Sequence, residues 1–181
     1  MDRQTSNSNA IMLRPAGADD DEFLFRVYEH TRELERQAVE WTDEEWEEFI
    51  RVQFEAQRRY YTTTYPDSEH SIILYCDKPV GRMWVWESES QLRLIDIAIL
   101  PQFRRRGIGT HLIRGLQARA EQSRIPLRHR VEMNNPDALR LYQRLAFVVF
   151  EQQGFHWHLE WHPPSAAHGC KTPGGAEEGS S

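Results

Sequence analysis

Two cysteines in 181 residues leave little for disulfides to do. Cys76 lies in an apolar, strand-like run and Cys170 in a polar tail, so the expected setting is reduced and cytoplasmic. No apolar run approaches the roughly 20 residues that span a bilayer, so no membrane is expected as a partner. The first ten residues are polar and lack the apolar stretch of a secretory leader. No internal repeat recurs, and no shift in composition marks a second domain. What is present is an ordinary globular composition, 39% hydrophobic and 28% charged, at a length that suits one domain with a sizeable core. Residues 10–162 are expected to form that domain, with 1–9 flexible and 163–181 a disordered tail rich in Pro, Gly and Ser.

The net charge of −6 hides an asymmetry. Residues 19–48 hold thirteen acids against three arginines, and residues 102–130 hold eight arginines against one acid. A long phosphate backbone would be attracted by the second stretch and repelled by the first, so nucleic acid is a poor partner. A small polyanion fits the dipolar layout better.

Periodicity orders the elements. A strand at 11–14 precedes helices at 19–37 and 43–61. The second helix opens with Thr42-Asp43-Glu44-Glu45, a capping box. Strands at 71–76, 80–86 and 92–100 follow, the first two joined by a turn at Asp77-Lys78-Pro79. A helix from Gly107 buries Ile108, Leu112, Ile113, Leu116 and Ala120. After a strand at 127–131, Asn135-Pro136 caps a short helix with Ala138, Leu141, Tyr142 and Leu145 inward. Strands at 147–150 and 155–161 close the domain around Gly154. An antiparallel meander feeding strand–helix–strand units predicts an α/β fold, a mixed sheet covered by helices.

Between the third strand of the meander and the next helix stands Pro101-Gln102-Phe103-Arg104-Arg105-Arg106-Gly107-Ile108-Gly109-Thr110. The first N–H groups of a helix lack internal partners and carry partial positive charge, so anions collect there. Glycines at 107 and 109 let an oxygen approach the backbone. The Gly-Lys-Ser/Thr ending of a nucleotide-binding P-loop is absent. So is the third glycine of a dinucleotide fingerprint, because Leu112 stands in its place.

Residues 94–109, ending in Gln102-Phe103-Arg104-Arg105-Arg106-Gly107-Ile108-Gly109, resemble the acyl-CoA signature of the GNAT N-acetyltransferase superfamily. Asn135-Pro136-Asp137-Ala138-Leu139-Arg140-Leu141-Tyr142 resembles that family's Asn-x-x-Ala-x-x-Leu-Tyr, and Leu145-Ala146-Phe147 its Leu-Gly-Phe. Glu22-Phe23-Leu24, Gln53-Phe54-Glu55-Ala56-Gln57 and Val80-Gly81-Arg82 are similar to stretches of compact single-domain bacterial members. The resemblance spans residues 11–161 and implies a mostly antiparallel sheet flanked by about four helices. It implies acetyl-CoA, or another acyl-CoA, as donor, an amine of a small molecule or peptide as acceptor, and no metal.

Residue by residue, the resemblance implies that Ile97 and Ile99 offer backbone groups to the pantetheine arm, with Ala98 leaving room beside it. Arg104, Arg105, Arg106, Gly107, Ile108, Gly109 and Thr110 would hold the pyrophosphate, and Asn135 would touch the pantetheine or adenosine side. Tyr142 would lie near the thioester sulfur and give it a proton; the alternative is an ordinary core tyrosine. Asp96 stands in an apolar strand, where an unpaired carboxylate is costly. It reads either as the base that takes the acceptor's proton or as the structural partner of an arginine. Glu87, Glu132 and His129 are weaker candidates for the base. Trp84 or Trp86, with Tyr60, Tyr61 and Tyr65, could frame an acceptor site, though packing explains them too. His156, His158, Glu160 and His162 read as the solvated face of a terminal strand rather than metal ligands. The acidic helices favour a cationic acceptor, and the assembly is expected to be a monomer or homodimer.

Overall fold

The computed structural model describes residues 11–164. β1 (Ile11–Pro15) leads through a 3-10 turn into α1 (Asp21–Glu29), then α2 (Glu33–Gln37) and α3 (Asp43–Thr64). The meander is β2 (Glu69–Tyr75), β3 (Lys78–Glu87) and β4 (Leu92–Ile99). Next come α4 (Ile108–Ser123), β5 (Leu127–Glu132), α5 (Pro136–Arg144), β6 (Val148–Gln153) and β7 (His156–Trp161). Seven strands form one sheet in the order β1-β2-β3-β4-β5-β7-β6. All neighbours are antiparallel except β4 and β5. The architecture is the mixed, mostly antiparallel sheet with flanking helices that the sequence predicts. Residues 1–10 and 165–181, which include Cys170 and nearly all of both expected tails, lie outside the described residues.

Three local departures have physical causes. The helix predicted over 19–37 breaks at His30–Arg32. There the Thr31 hydroxyl donates to the Tyr28 carbonyl at 2.6 Å, a side-chain bond that competes with helical pairing. The β2–β3 turn sits one residue earlier than predicted, on Cys76 and Asp77, both left-handed (φ 52° and 61°). A two-residue hairpin turn of the favoured hand needs that conformation twice. Pro79 falls inside β3 beside a register shift, where the missing N–H is tolerated. The Thr42–Glu45 capping box forms as predicted, with bonds of 2.9 and 3.2 Å.

The sheet divides two cores. One face packs under α4 and α5, with Leu112, Ile113, Leu116, Tyr142 and Leu145 against Met83, Val85, Leu92, Leu94 and Leu127. The other packs under α1 and α3, where Leu24, Phe25, Tyr28, Ile50 and Phe54 meet Ile72. Each fully buried aliphatic side chain contributes about 1.5–3 kcal/mol. Gly81 lets β3 and β4 approach, since a Cβ there would stand 2.2 Å from the Ala98 carbonyl oxygen.

β4 carries the feature that opens the sheet. Trp84 pairs with Asp96 and Val85 with Leu94, so Ile95 is an extra residue, a bulge. It resets the alternation: Leu92, Leu94, Ile97 and Ile99 join the α4–α5 core, while Asp96 and Ala98 pair with Trp84 and Arg82 and face the other way. On its far edge β4 pairs with β5 only from Leu92↔Leu127 to Leu94↔His129. Beyond Leu94 the two strands part.

Candidate active site

The split leaves the β5-facing edge of β4 without strand partners from Ile95 to Ile99. This edge runs straight into the arginine–glycine segment. Pro101–Phe103 form a 3-10 turn, Arg105 is left-handed (φ 61°) and so is Gly107 (φ 79°), which caps α4 without any side-chain bond. The first backbone bond at this terminus is His111 N–H to the Gly107 carbonyl at 2.9 Å. The amides of Ile108, Gly109 and Thr110 therefore have no backbone acceptor among the described residues. A Cβ on Gly107 would point into open space. Three free amides, a bare glycine and exposed arginines fit a polyphosphate.

Above the split, on the α4–α5 face, stand Tyr142 and His129. The Tyr142 ring is buried, 4.6 Å from the His129 ring and edge-on to Phe147 at 5.2 Å. Burial pushes its phenol well above the ordinary range, and the negative charge of Asp96 pushes it further. The hydroxyl therefore stays protonated, as a proton donor requires. Its helix is set by Asn135, whose Oδ1 accepts from Ala138 N–H at 3.0 Å. The helix ends in a Schellman turn, with Phe147 N–H on the Tyr142 carbonyl and Ala146 N–H on that of Gln143. Ala146 occupies the left-handed position (φ 63°) where glycine is usual.

On the α1–α3 face Asp96 meets Arg82. The Arg82 Nε and Asp96 Oδ2 are 2.8 Å apart, with side-chain exposures of 2% and 21%. The pair lies off the hydrogen-bonding direction, so it acts through charge. Arg82 also donates to Gln57 Oε1 at 2.7 Å and lies over the Tyr28 ring at 5.5 Å. The negative charge of Asp96 also pushes up the phenol of Tyr61, behind the larger effect of burial. Asp96 thus acts electrostatically on residues of both faces.

The sequence model of the acetyltransferase (GNAT) family matches residues 30–147. The chain belongs to the GNAT family. A search of curated proteins finds no match. Among solved structures, this GNAT protein is similar to the PaiA N-acetyltransferase of Thermoplasma acidophilum in complex with coenzyme A. That likeness has a TM-score of 0.65 at 16% identity and covers 84% of this chain and 99% of that one. An acetyltransferase of Thermus thermophilus gives 0.63 at 17%, covering 86% and 98%. The Campylobacter jejuni N-acetyltransferase PseH in complex with acetyl coenzyme A gives 0.56 at 14%, covering 84% and 99%. Likeness at this identity concerns the fold.

Within the GNAT fold, Asp96 to Ile99 lie on the unpaired stretch of β4 and Arg104 to Thr110 in the loop that follows, while Asn135 stands at the start of α5, with particulars that sequence did not reveal. The Ile99 carbonyl accepts from Arg104 Nε at 2.8 Å, so that oxygen and that arginine hold each other. Gly109 lies against Ile99 and Leu141, 3.8 Å from where its Cβ would be, tying the loop to β4 and α5. Ala98 is buried beside Arg82. Of the weaker base candidates, Glu87 is bound by Arg119 and Ser123 and Glu132 lies 3.5 Å from Arg32.

Trp84 is buried, stacked on His70 at 4.0 Å and bonded to Ser68 at 2.7 Å. Trp86 bonds the Pro66 carbonyl at 3.1 Å. Both anchor the end of α3. Glu160, expected on a solvated face, is buried between Arg128 and His162. Among the described residues no three His, Cys, Asp or Glu side chains are placed to hold a metal. The residues missed were Arg82 and Gln57. The available signal was an arginine in the middle of an apolar strand one hairpin away from Asp96.

Proposed function

We propose that this chain transfers an acyl group, acetyl by preference, from acetyl-CoA to a primary amine of a small molecule or peptide, both being bound at once. The observation that carries the reading is the split itself, an unpaired strand edge leading into uncapped amides at a helix N-terminus. The coenzyme A and acetyl-CoA named with two of the similar structures support the choice of donor. Bound there, the thioester would supply an activated acyl group.

The chain's own residues do the rest. Arg104, Arg105 and Arg106, with the backbone of Gly107, Ile108, Gly109 and Thr110, hold the pyrophosphate. The edge at Ile97, Ala98 and Ile99 orients the pantetheine arm, with Asn135 on its other side. A lysine-like amine has a pKa near 10.4, leaving under about 0.1% neutral at pH 7. A base or a dry pocket must therefore free it, and Asp96 takes that proton directly or through water. Tyr142 donates a proton toward sulfur. No metal takes part.

The acids of α1 to α3 favour a cationic acceptor over nucleic acid or a membrane. The domain of residues 10–162 works in the cytoplasm as a monomer or homodimer. One observation favours a second reading, a CoA-binding regulatory domain without turnover: Arg82 already neutralises Asp96. An acyl-CoA panel crossed with amine acceptors, read by thiol release and product mass, separates the two. Gly107→Val tests the loop. A left-handed valine carries about 1–2 kcal/mol of strain, so acetyl-CoA affinity measured by calorimetry should fall about tenfold or more. Unchanged affinity in a folded variant would remove the loop from the site.

A further inference from the structure

His129 is the last β5 residue paired with β4, opposite Leu94. Its Nδ1 lies 2.8 Å from the Leu94 carbonyl oxygen. A carbonyl only accepts, so Nδ1 carries the proton and Nε2 the lone pair. The imidazole is buried and its other neighbour is the Tyr142 ring, centroids 4.6 Å apart. The side chain therefore bonds across the point where the strands separate, and its ring occupies the closed end of the split.

The open end is the arginine–glycine loop. Between them runs the free edge of β4, five residues or about 16 Å at the usual rise of a strand. An arm anchored by phosphates at the N-terminus of α4 and laid along this edge points its far end at His129. Packed side chains line that end. Leu94, Val131 and Tyr142 are each at most 3% exposed and belong to one core, and close-packed interiors resist even one added methylene.

We infer that His129 sets the length of acyl group this site accepts: its ring closes the split behind the thioester, leaving room for acetyl and not for longer chains. The inference rests on the acyl-CoA reading above and adds to it a specificity-determining residue.

Two substitutions separate bulk from hydrogen bonding. His129→Asn puts an amide nitrogen where Nδ1 stands, keeping the bond to Leu94 while removing the rest of the ring. His129→Phe keeps a ring and loses the donor. Calorimetry on the whole chain gives the affinities of acetyl-, propionyl- and butyryl-CoA, each relative to free CoA in the same protein. One extra methylene in a tight pocket is discriminated by about 10–200-fold. Wild type should therefore disfavour butyryl-CoA by at least about tenfold, and His129→Asn should reduce that to about threefold or less. His129→Phe should keep the wild-type ranking while its thermal midpoint falls.

An unchanged ranking in folded His129→Asn overturns the inference, as does a wild type that binds all three alike. Should His129→Asn not fold, loss of the ranking in His129→Phe overturns it equally, and its retention supports it. Free CoA distinguishes the levels. A wild type that binds no CoA at all overturns the acyl-CoA reading and this inference together, whereas CoA binding with an unaltered ranking overturns the inference alone.

Discussion

On the two faces of the sheet at the β4–β5 split, buried polar side chains are accommodated in opposite ways. Under α1 and α3, Arg82 and Asp96 form an ion pair 2.8 Å apart. Under α4 and α5, His129 and Tyr142 are kept neutral, the imidazole with its pKa pushed by burial down to about 4 and the phenol pushed upward. A buried ion pair adds little net stability, yet breaking it is costly because one charge is left alone. A neutral imidazole bonded to the Leu94 carbonyl, with a neutral phenol against its ring, keeps its surroundings apolar. Under the proposed function, charge handling falls to the acceptor side and dryness to the acyl side.

Tyr142→Phe strikes the neutral face hardest. The ring should still pack on Phe147, so the fold survives, and acetyl-CoA affinity should change little. Acyl transfer in single turnover should slow by about 10²–10⁴-fold, the usual range for a lost general acid. A variant as fast as wild type would leave Tyr142 with packing alone.

Asp96→Asn strikes the charged face. It strands the Arg82 guanidinium, at a cost of about 3 kcal/mol, the lower end for buried pairs because Asp96 is partly open. Denaturant unfolding measures this, and adding Arg82→Gln should restore part of the loss. If Asp96 is also the base, turnover falls most on the acidic side of the pH–rate profile. An unchanged profile in the folded variant would make Asp96 purely structural.

Acid should test His129 next, although it also reaches His70 on the other face, whose pKa burial likewise pushes down to about 4. Folded His129 has its pKa depressed from 6.5 to about 4, so the unfolded chain binds the proton first. The stability it contributes is complete above pH 6.5 and is lost as pH falls toward about 4. The thermal midpoint should drop across that window, and less so in His129→Asn. Asp20, held down at about 2 chiefly by its hydrogen bonds from Arg14, titrates below it. Parallel curves for the two proteins would show that His129 is not held neutral.

The smallest effect concerns the turn that ends the Tyr142 helix. Ala146→Gly removes a left-handed alanine and should raise stability by about 1 kcal/mol, seen as a higher denaturation midpoint. A loss instead would mean that the methyl group packs better than its backbone suits.

Local chemistry was legible in the sequence and pairing across strands was not. The Arg104–Thr110 loop, the Asn135 cap and the Thr42 box are each written within a few consecutive residues, so reading them requires no tertiary knowledge. The Asp96–Arg82 pair depends on register through a bulge, and alternation alone puts Leu94 and Ile97 on opposite faces. The break at Thr31 and the turn at Cys76-Asp77 were missed for a related reason. Each depends on a conformation that its residue types permit without demanding. His129 looked like one more titratable residue until its neighbours were known.

Ile95, finally, makes β4 a strand that depends on being counted. Exchange of one side chain alters one contact. Removal of Ile95 itself would leave Val85–Leu94 and Trp84–Asp96 as consecutive pairs, a regular ladder with every later side chain on its present face. Removal of Ile97 would instead turn Ala98 and Ile99 to the opposite face. Length can thus drift at one position of this strand and not two positions further on, and a single-codon deletion of Ile97 should be far more damaging than one of Ile95.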